Sequence, residues 1–300
     1  MVKMRILITG ATGLIGREVA STAVDLGHDV CSGQHKTKPD FGKPIDLDIN
    51  DTGSVENCFK RASADAIIHL AALTNVDQCE TERELALQAN AKAVETVAKE
   101  ASKYDSHLVY MSTDYVFDGY RGMYSEGDKP NPLNWYGESK ARGEEAVERY
   151  ASSWCIARTS TPYGLHPHKK SFPVLVAEKL SSALEMQVLD DQYTSPTYVR
   201  NLAKMLIEIA EHKFQGIIHV SGSTRVSRLD FAKLLANRLD LNRDLLRPIR
   251  MQNIKWVAKR PRDSSLNVEK AISSLKAKPE STEQSLDSFC KELRIFMKSK

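Results

Sequence analysis

The first half of the chain alternates between short apolar runs and longer segments with apolar residues at helical spacing. The short runs are rich in Ile, Leu and Val, which is typical of strands buried on both faces. The predicted strands are residues 5–9, 28–32, 65–70, 108–112 and 154–158. The predicted helices between them are residues 16–26, 51–61, 81–104 and 136–150. Strands that alternate with helices indicate right-handed crossovers and a parallel sheet covered on both faces. The predicted fold class is therefore α/β, with a Rossmann-type doubly wound parallel sheet.

The second half of the chain has a less regular pattern. It predicts helices at residues 171–182, 199–212 and 227–239, a strand at 216–220 and a helical tail after residue 280. No internal repeat and no linker rich in Gly and Ser separates the two halves. We therefore expect a smaller, mainly C-terminal lobe packed closely against the sheet.

Composition and charge narrow the class of protein. The 300 residues are 41% hydrophobic and 27% charged, as in an ordinary globular protein. The net charge of +3 is too mild to indicate a nucleic-acid partner. No stretch approaches the roughly 18 apolar residues of a membrane span, and the N-terminus shows no signal-peptide pattern. We expect a cytoplasmic protein with no membrane partner.

The cysteines and the carboxylates predict neither a disulfide framework nor a metal site. The five cysteines are widely spaced and include no CxxC pair, so we expect buried free thiols. We interpret the carboxylates at 77, 80, 126 and 128 as solvated groups or helix caps. The histidines form no pair at the spacing of metal ligands on a helix.

A glycine-rich turn directly follows the first strand. Gly10, Gly13 and Gly16 have the spacing GxxGxxG and precede a predicted helix. In this context the first glycine permits a tight turn, the second lets the backbone approach a diphosphate, and the third lets helix and strand pack closely. The free N–H groups of the helix N-terminus favour an anion. The turn predicts a dinucleotide site, against the alternative of a tight turn that binds nothing.

The end of the second strand bears on the choice of dinucleotide. Sites that prefer NAD place an acidic residue there, whereas sites for NADP place cations. This chain has no acid at residues 32–36, and His35 and Lys36 could hold a 2′-phosphate. The pattern favours NADP(H), with NAD(H) as the alternative.

Tyr136 and Lys140 form a YxxxK motif on a predicted helix. Residues four apart share a helix face, so the ammonium group should lie beside the phenol and lower its pKa. Tyr136 could then donate a proton to a forming alkoxide while Lys140 also holds the nicotinamide ribose. Ser112 and Thr113 end the preceding strand, at the sheet edge where open α/β proteins bind ligands. Thr113 could hydrogen-bond a substrate carbonyl; a plain capping role is the alternative.

Together these motifs resemble the dTDP-4-dehydrorhamnose reductases, in the extended branch of the short-chain dehydrogenase/reductase superfamily. The matching stretches include ILITGATGLIG, IIHLAALTNVDQCE, STDYVFDG, PLNWYGESKARGE, DQYTSPTYVRNLA and KRPRDSSLN, so the resemblance covers nearly the whole chain. It implies a catalytic set of Thr113, Tyr136 and Lys140. It implies cofactor contacts by Gly10, Thr12, Gly13, Leu14, Ile15, Gly16, His35, Lys36, Asp46, Leu47, Ala71, Ala72, Thr74, Asn90, Ser112, Tyr136 and Lys140. It implies substrate contacts by Thr74, Asp114, Pro196, Thr197 and Arg262.

The resemblance also implies a domain division and a reaction. Residues 1–164 and 195–221 would form the dinucleotide-binding lobe, and residues 165–194 and 222–300 the substrate-binding lobe. The small-molecule partner would be a nucleotide sugar whose 4-keto group is reduced by NADPH. A homodimer is common in the superfamily, and the sequence leaves the oligomeric state open. One departure concerns Thr161 and Pro162, where many members carry an aromatic residue beside the sugar.

Two other functions stay open at this point. A dehydratase on the same fold would need a Glu after Asp114, and this chain has Tyr115 there; epimerases usually have an acid after the second strand. The regulatory β subunit of methionine adenosyltransferase is also similar to these reductases and acts as a binding partner. An intact catalytic set does not separate that subunit from an enzyme, although the SPTY and RPRDS stretches favour the enzyme.

Overall fold

A parallel sheet forms the centre of the computed structural model, which describes residues 3–298. The strands in chain order are β1 Arg5–Thr9, β2 Asp29–Gln34, β3 Lys43–Asp46, β4 Ala66–His69, β5 His107–Thr113, β6 Trp154–Thr159, β7 Pro162–Tyr163, β8 Met186–Leu189, β9 Tyr193–Thr194, β10 Thr197–Tyr198, β11 Gly216–His219, β12 Val226–Ser227 and β13 Leu246–Ile249. Seven of them build the central sheet in the order β11-β6-β5-β4-β1-β2-β3. The others pair in twos: β10 with β7, β12 with β9 and β13 with β8.

Helices cover both faces of this sheet and fill the C-terminal half. They are α1 Leu14–Asp25, α2 Thr52–Ala62, α3 Val76–Thr81, α4 Arg83–Leu87, α5 Ala93–Lys103, α6 Trp135–Tyr150, α7 Phe172–Ser181, α8 Val199–Glu211, α9 Arg228–Arg238, α10 Glu269–Ser274 and α11 Thr282–Lys298. A π-helical turn, Gln88–Lys92, joins α4 to α5. The predicted Rossmann-type doubly wound sheet is confirmed.

The sheet order creates a crevice beside β1. Ile6 pairs with Val30 of β2 on one side and with Ala66 of β4 on the other, so the chain fills the sheet outward from β1 in both directions. Connections on the two sides of such a switch point leave opposite faces of the sheet and open a crevice at the carboxyl ends of the strands. The residues that follow β1, β4 and β5 meet there.

The two faces of the sheet carry separate apolar clusters. Ile6 and Ile8 of β1 pack with α1 and α8 in one cluster, and Leu7 between them packs with α2, α5 and α6 in the other. This alternation follows from the pleat, which sends successive side chains to opposite faces. All three side chains are fully buried, which explains why β1 reads as a continuous apolar run.

A third apolar cluster lies in the C-terminal half, among α7, α9 and α11. The ring of Tyr163 contacts those of Phe231 and Phe289, both in edge-to-face arrangement with centroids 5.2 Å apart. Ala271 of α10 and Leu275 directly after it belong instead to the first cluster, next to the sheet. Burial of these aromatic rings gives the second half a core of its own.

The structure differs from the prediction in one helix and in one edge strand of the central sheet. The continuous helix predicted at 81–104 is broken at Glu82, whose backbone leaves the helical region, and again changes pitch in the π-helical turn. The edge strand β3 was not predicted, because Lys43, Pro44 and Asp46 are exposed and only Ile45 is buried. A short edge strand with one inward residue carries almost no alternation signal.

The five cysteines are all buried and free, as predicted. Among residues 3–298, no helix is long and apolar enough to cross a membrane. The same part of the chain holds no group of three or more His, Cys, Asp or Glu side chains placed to bind a metal ion.

Candidate functional site

A cavity of about 810 Å³ opens at the crevice where β1, β4 and β5 end. It brings together most of the residues that the sequence assigned to the cofactor and to catalysis. These are Gly10, Thr12, Gly13, Leu14, Ile15, Gly16, His35, Leu47, Ala71, Ala72, Thr74, Ser112, Thr113, Asp114, Tyr136 and Lys140.

The glycine-rich turn forms one wall of this cavity. Gly10 has a positive φ of +66°, and a Cβ on it would lie 2.8 Å from the backbone nitrogen of Ala71. A Cβ on Gly16 would collide with the carbonyl oxygen of Gly10. The turn therefore lies tight against the residues that follow β4, and α1 begins directly after Gly13 with N–H groups that no side chain caps. Such a helix start fits the diphosphate of a dinucleotide.

The far end of the cavity differs from the predicted adenosine contacts. His35 and Leu47 line it, but Lys36 and Asp46 are exposed residues outside the lining. Asp48 lines the cavity instead, with its Oδ2 3.5 Å from Nε2 of His35. The reason is the short strand β3, which turns Asp46 away from the crevice and brings the residues after Leu47 into it.

Tyr136 and Thr113 are neighbours in the lining of the cavity. Burial raises the pKa of Tyr136 above its usual value, and a hydrogen bond with the Thr113 side chain offsets only part of that rise. The lowered pKa that the YxxxK spacing predicted is therefore not found in this structure. A phenol with a raised pKa is fully protonated at neutral pH and has a proton to donate.

Lys140 is buried one turn after Tyr136 on α6. Its Nζ donates to the carbonyl oxygen of Met111 at 2.7 Å and lies 4.0 Å from the centre of the Tyr110 ring. Burial lowers the pKa of Lys140 to about 7, while the nearby Glu144 carboxylate works in the opposite direction. The ammonium group is thus held against the end of β5, one residue before Ser112.

Asp114 is a hydrogen-bonding centre rather than a free carboxylate. Its Oδ2 accepts from Ser160 Oγ at 2.7 Å and from Ser264 Oγ at 2.5 Å, and its Oδ1 accepts from Thr113 Oγ1 at 3.0 Å. Burial raises the pKa of this carboxyl to about 6, against those three hydrogen bonds. Asp114 was expected to approach the sugar; it lines the cavity, and its oxygens also join Thr113 to Ser160 and Ser264.

A second cavity of about 510 Å³ adjoins the first, and Tyr115 and Arg228 line both. Its wall includes Trp256 and Arg260. The guanidinium of Arg260 lies 5.3 Å from the Trp256 ring and bonds Asp77 Oδ1 at 2.9 Å. Arg228 is positioned by Gln192, whose Oε1 accepts from Arg228 Nε at 2.6 Å. Two arginines and aromatic rings can bind a nucleoside diphosphate.

The residues predicted to contact the substrate diphosphate lie elsewhere. Thr197 is fully buried and its Oγ1 donates to the carbonyl oxygen of Ser160 at 2.7 Å, so it supports the fold. Pro196, Thr197 and Arg262 do not line either cavity, and Arg262 is exposed. The RPRDS stretch does contribute an arginine, but two residues earlier, at Arg260. Arg228 and Trp256 carried no motif that would have identified them.

Asn90 supports the cavity wall without lining it. It is fully buried in the π-helical turn, and its side chain bonds both the N–H and the carbonyl oxygen of Leu73, at 2.8 and 2.9 Å. A further bond to Ser139 Oγ at 3.0 Å joins this loop to α6. Asn90 therefore holds the segment that carries Ala72 and Thr74 against the helix that carries Tyr136.

Comparisons with known proteins agree over almost the whole chain. Residues 4–295 match the family model described as RmlD substrate binding domain. The dTDP-4-dehydrorhamnose reductase of Aggregatibacter actinomycetemcomitans is 34% identical over 295 residues, covering 94% of this chain and 97% of that protein. The methionine adenosyltransferase 2 subunit beta of Danio rerio is 32% identical over 270 residues, covering 87% and 82%.

A solved structure is similar in its overall fold as well. The dTDP-4-dehydrorhamnose reductase of Bacillus anthracis strain Ames, crystallised in complex with NADP, has a TM-score of 0.87 and 31% identity. The alignment covers 97% of this chain and 100% of that one.

Proposed function

The chain belongs to the RmlD substrate-binding-domain family of dTDP-4-dehydrorhamnose reductases, and we propose that it reduces dTDP-6-deoxy-L-lyxo-4-hexulose to dTDP-L-rhamnose with NADPH. The observation that carries this proposal is the junction of two cavities. One is lined by the glycine-rich turn together with Thr113, Tyr136 and Lys140, and the other by two arginines and aromatic side chains. The junction would let a keto-sugar meet the cofactor while its nucleoside diphosphate stays in the second cavity.

The first cavity fits a dinucleotide cofactor. The α1 N-terminus after Gly13 would bind its diphosphate, and Ala71, Ala72 and Thr74 would face its nicotinamide half. His35 supports NADP(H), whereas Asp48 beside it is an acceptor suited to ribose hydroxyls, so NAD(H) stays the alternative. When bound, the reduced cofactor supplies the hydride; the protein contributes binding, orientation and the proton.

Tyr136 would give its phenolic proton to the O4 atom of the sugar as the carbonyl is reduced. Its raised pKa keeps that proton in place until negative charge develops on O4. Thr113 would hydrogen-bond the same oxygen and hold the carbonyl in position. Lys140 would place a positive charge behind the phenol, which stabilises the phenolate left after the transfer.

The second cavity would recognise the nucleoside diphosphate. Arg228 at the junction and Arg260 further out match the geometry of phosphate oxygens. Tyr115, which lines both cavities, offers an aromatic wall beside the sugar in place of the residue missing at Thr161 and Pro162. The same Tyr115 stands where a dehydratase would need a Glu, which argues for reduction rather than elimination.

A regulatory role is the second candidate, because the chain is also 32% identical to a methionine adenosyltransferase subunit beta. Such a protein could bind a dinucleotide without turning over a sugar. An enzyme has to reduce a keto-sugar when it is purified alone, so turnover separates the two candidates.

The deciding experiment follows the oxidation of NADPH at 340 nm with dTDP-6-deoxy-L-lyxo-4-hexulose, for the wild type and for Tyr136→Phe. We expect turnover by the wild type and a loss of about 10²-fold or more in kcat for the variant, with NADPH binding retained. Tight NADPH binding without turnover would contradict the reductase proposal and favour the regulatory role.

A further inference from the structure

The loop of residues 166–170, between β7 and α7, is fastened to the glycine-rich turn. His166 is buried, and its Nε2 donates to the carbonyl oxygen of Thr12 at 3.1 Å. Its Nδ1 accepts from the backbone N–H groups of His168 and Lys169, both at 3.1 Å. A carbonyl oxygen can only accept, so the proton is on Nε2 and both ring nitrogens are used. His166 thus joins the 166–170 loop to the cofactor turn.

A second anchor holds the far end of the 166–170 loop. Ser171 Oγ donates to the carbonyl oxygen of Gly164 at 2.8 Å and accepts from the N–H of the same glycine at 3.4 Å. The loop is therefore tied at both ends, and its two lysines lie between the anchors. Lys169 and Lys170 line the same cavity as Gly10, Gly13 and Gly16.

The two lysines differ in their electrostatic surroundings. Lys170 Nζ pairs with Glu178 Oε2 at 2.7 Å, so its charge is already matched. Lys169 forms no ion pair with any carboxylate of residues 3–298, although it lines a cavity that faces a helix N-terminus. A cation held across from free N–H groups would face an anion bound between them.

We propose that Lys169 binds the diphosphate of the dinucleotide and that His166 is the positioning residue that holds Lys169 over it. The inference rests on the proposed function for the identity of the cofactor. Lys169 does not line the second cavity, which argues for the cofactor diphosphate rather than that of the sugar nucleotide. The diphosphate would then be enclosed by α1 on one side and by the 166–170 loop on the other.

The test is the dissociation constant of NADPH, measured without sugar nucleotide by the fluorescence of the reduced nicotinamide. We expect Lys169→Gln to weaken NADPH binding about 10-fold, the usual effect of losing one bond to a charged group. NADH binding should weaken by the same factor, because both cofactors carry the diphosphate. Lys179→Gln, an exposed lysine of α7 outside the cavity, is the matched control and should leave both constants unchanged.

Three results would overturn the assignment. A loss confined to NADPH would place Lys169 on the 2′-phosphate. Unchanged cofactor binding with a raised KM for the hexulose would assign it to the substrate diphosphate. No change in any constant would leave Lys169 a solvated surface lysine. The test measures NADPH binding directly and does not depend on turnover. A wild type that binds NADPH but reduces no sugar would therefore refute the proposed function without affecting the test of Lys169.

The positioning role of His166 is tested by coupling to Lys169. In His166→Phe, which loses all three hydrogen bonds of the ring, Lys169→Gln should have little further effect on NADPH binding. His166→Gln keeps a donor for the Thr12 carbonyl and should restore part of the affinity. If the two single effects simply multiply in the double variant, His166 acts on the fold alone and does not position Lys169.

Discussion

The buried ammonium group of Lys140 serves the proposed reaction but lowers the stability of the fold. Its side chain is buried, and burial lowers its pKa to about 7 from a usual value near 10.5. Between those two pH values the unfolded chain binds more protons than the folded chain, so the free energy of unfolding rises with pH through this window. Replacing the ammonium with an apolar side chain of similar length removes that cost.

We therefore expect Lys140→Met to abolish reduction and yet raise the free energy of unfolding at pH 7 by about 1–3 kcal/mol. Urea denaturation of both proteins at pH 7 and at pH 10 measures this. The advantage of the variant should shrink at the higher pH, because the folded lysine of the wild type is then neutral, and giving up that proton costs little at a pH so close to its unfolded pKa. An advantage that does not change with pH would mean that the lysine charge is not its cause.

Glu144 is the carboxylate that favours the charged form of Lys140. It accepts from Arg158 Nε at 2.9 Å and from Nη2 at 2.6 Å, and Ser112 Oγ donates to it at 2.5 Å. All of these groups are buried. Removing the Glu144 charge would leave the Arg158 cation uncompensated near Lys140, and both changes lower the pKa of the lysine further.

For Glu144→Gln we expect the decline of kcat/KM at high pH, which follows loss of the Lys140 proton, to move to lower pH. The free energy of unfolding should also fall by about 3 kcal/mol or more, since a buried charge loses its partner. Glu145→Gln, on the exposed side of the same helix, should change neither quantity. A less stable variant with an unmoved pH profile would restrict Glu144 to a structural role.

At the scale of elements, local motifs could be predicted and long-range neighbours could not. The glycine-rich turn and YxxxK specify their own geometry over a few residues, so their place at the crevice followed from the alternation of strands and helices. Arg228, Trp256 and Lys169 reach the cavities only because α9, the segment after β13 and the 166–170 loop pack back onto the sheet. Arg260 rather than Arg262 lines the second cavity, and nothing in the RPRDS stretch distinguishes the two.

The start of α9 illustrates how an element positions a site residue. Ser227 caps this helix, and its Oγ accepts from the N–H of Asp230 at 3.0 Å. Arg228 is the first residue of that helix. We expect Ser227→Ala to cost about 1 kcal/mol of stability and to raise the KM for the sugar nucleotide, with the dissociation constant of NADPH unchanged. Asn242→Ala removes the cap of a short 3₁₀ helix outside the lining of both cavities and should leave KM unchanged. An equal rise of KM in both variants would mean that general destabilisation causes it.

At the scale of the whole molecule, the two cavities divide the recognition of cofactor and of nucleoside diphosphate between different parts of the chain. The cofactor cavity lies at the edge of the central sheet, whereas Trp256 and Arg260 belong to the segment that follows β13. A ligand that binds only the folded protein stabilises it, by about 2.7 kcal/mol at 100 times its dissociation constant. Each cavity can thus be tested by the stabilisation that its own ligand produces.

We expect NADPH and dTDP to raise the melting temperature separately, because each fits its own cavity. Trp256→Ala should lose most of the shift caused by dTDP and keep the shift caused by NADPH. Tyr136→Phe is the matched control and should keep both shifts, since the phenolic proton is needed for the reaction and not for binding either ligand. Differential scanning fluorimetry with each ligand measures the shifts. A melting temperature that rises with NADPH but not with dTDP would mean that the second cavity binds another partner, as the regulatory role requires. Independent shifts by both ligands are expected of a sugar-nucleotide reductase.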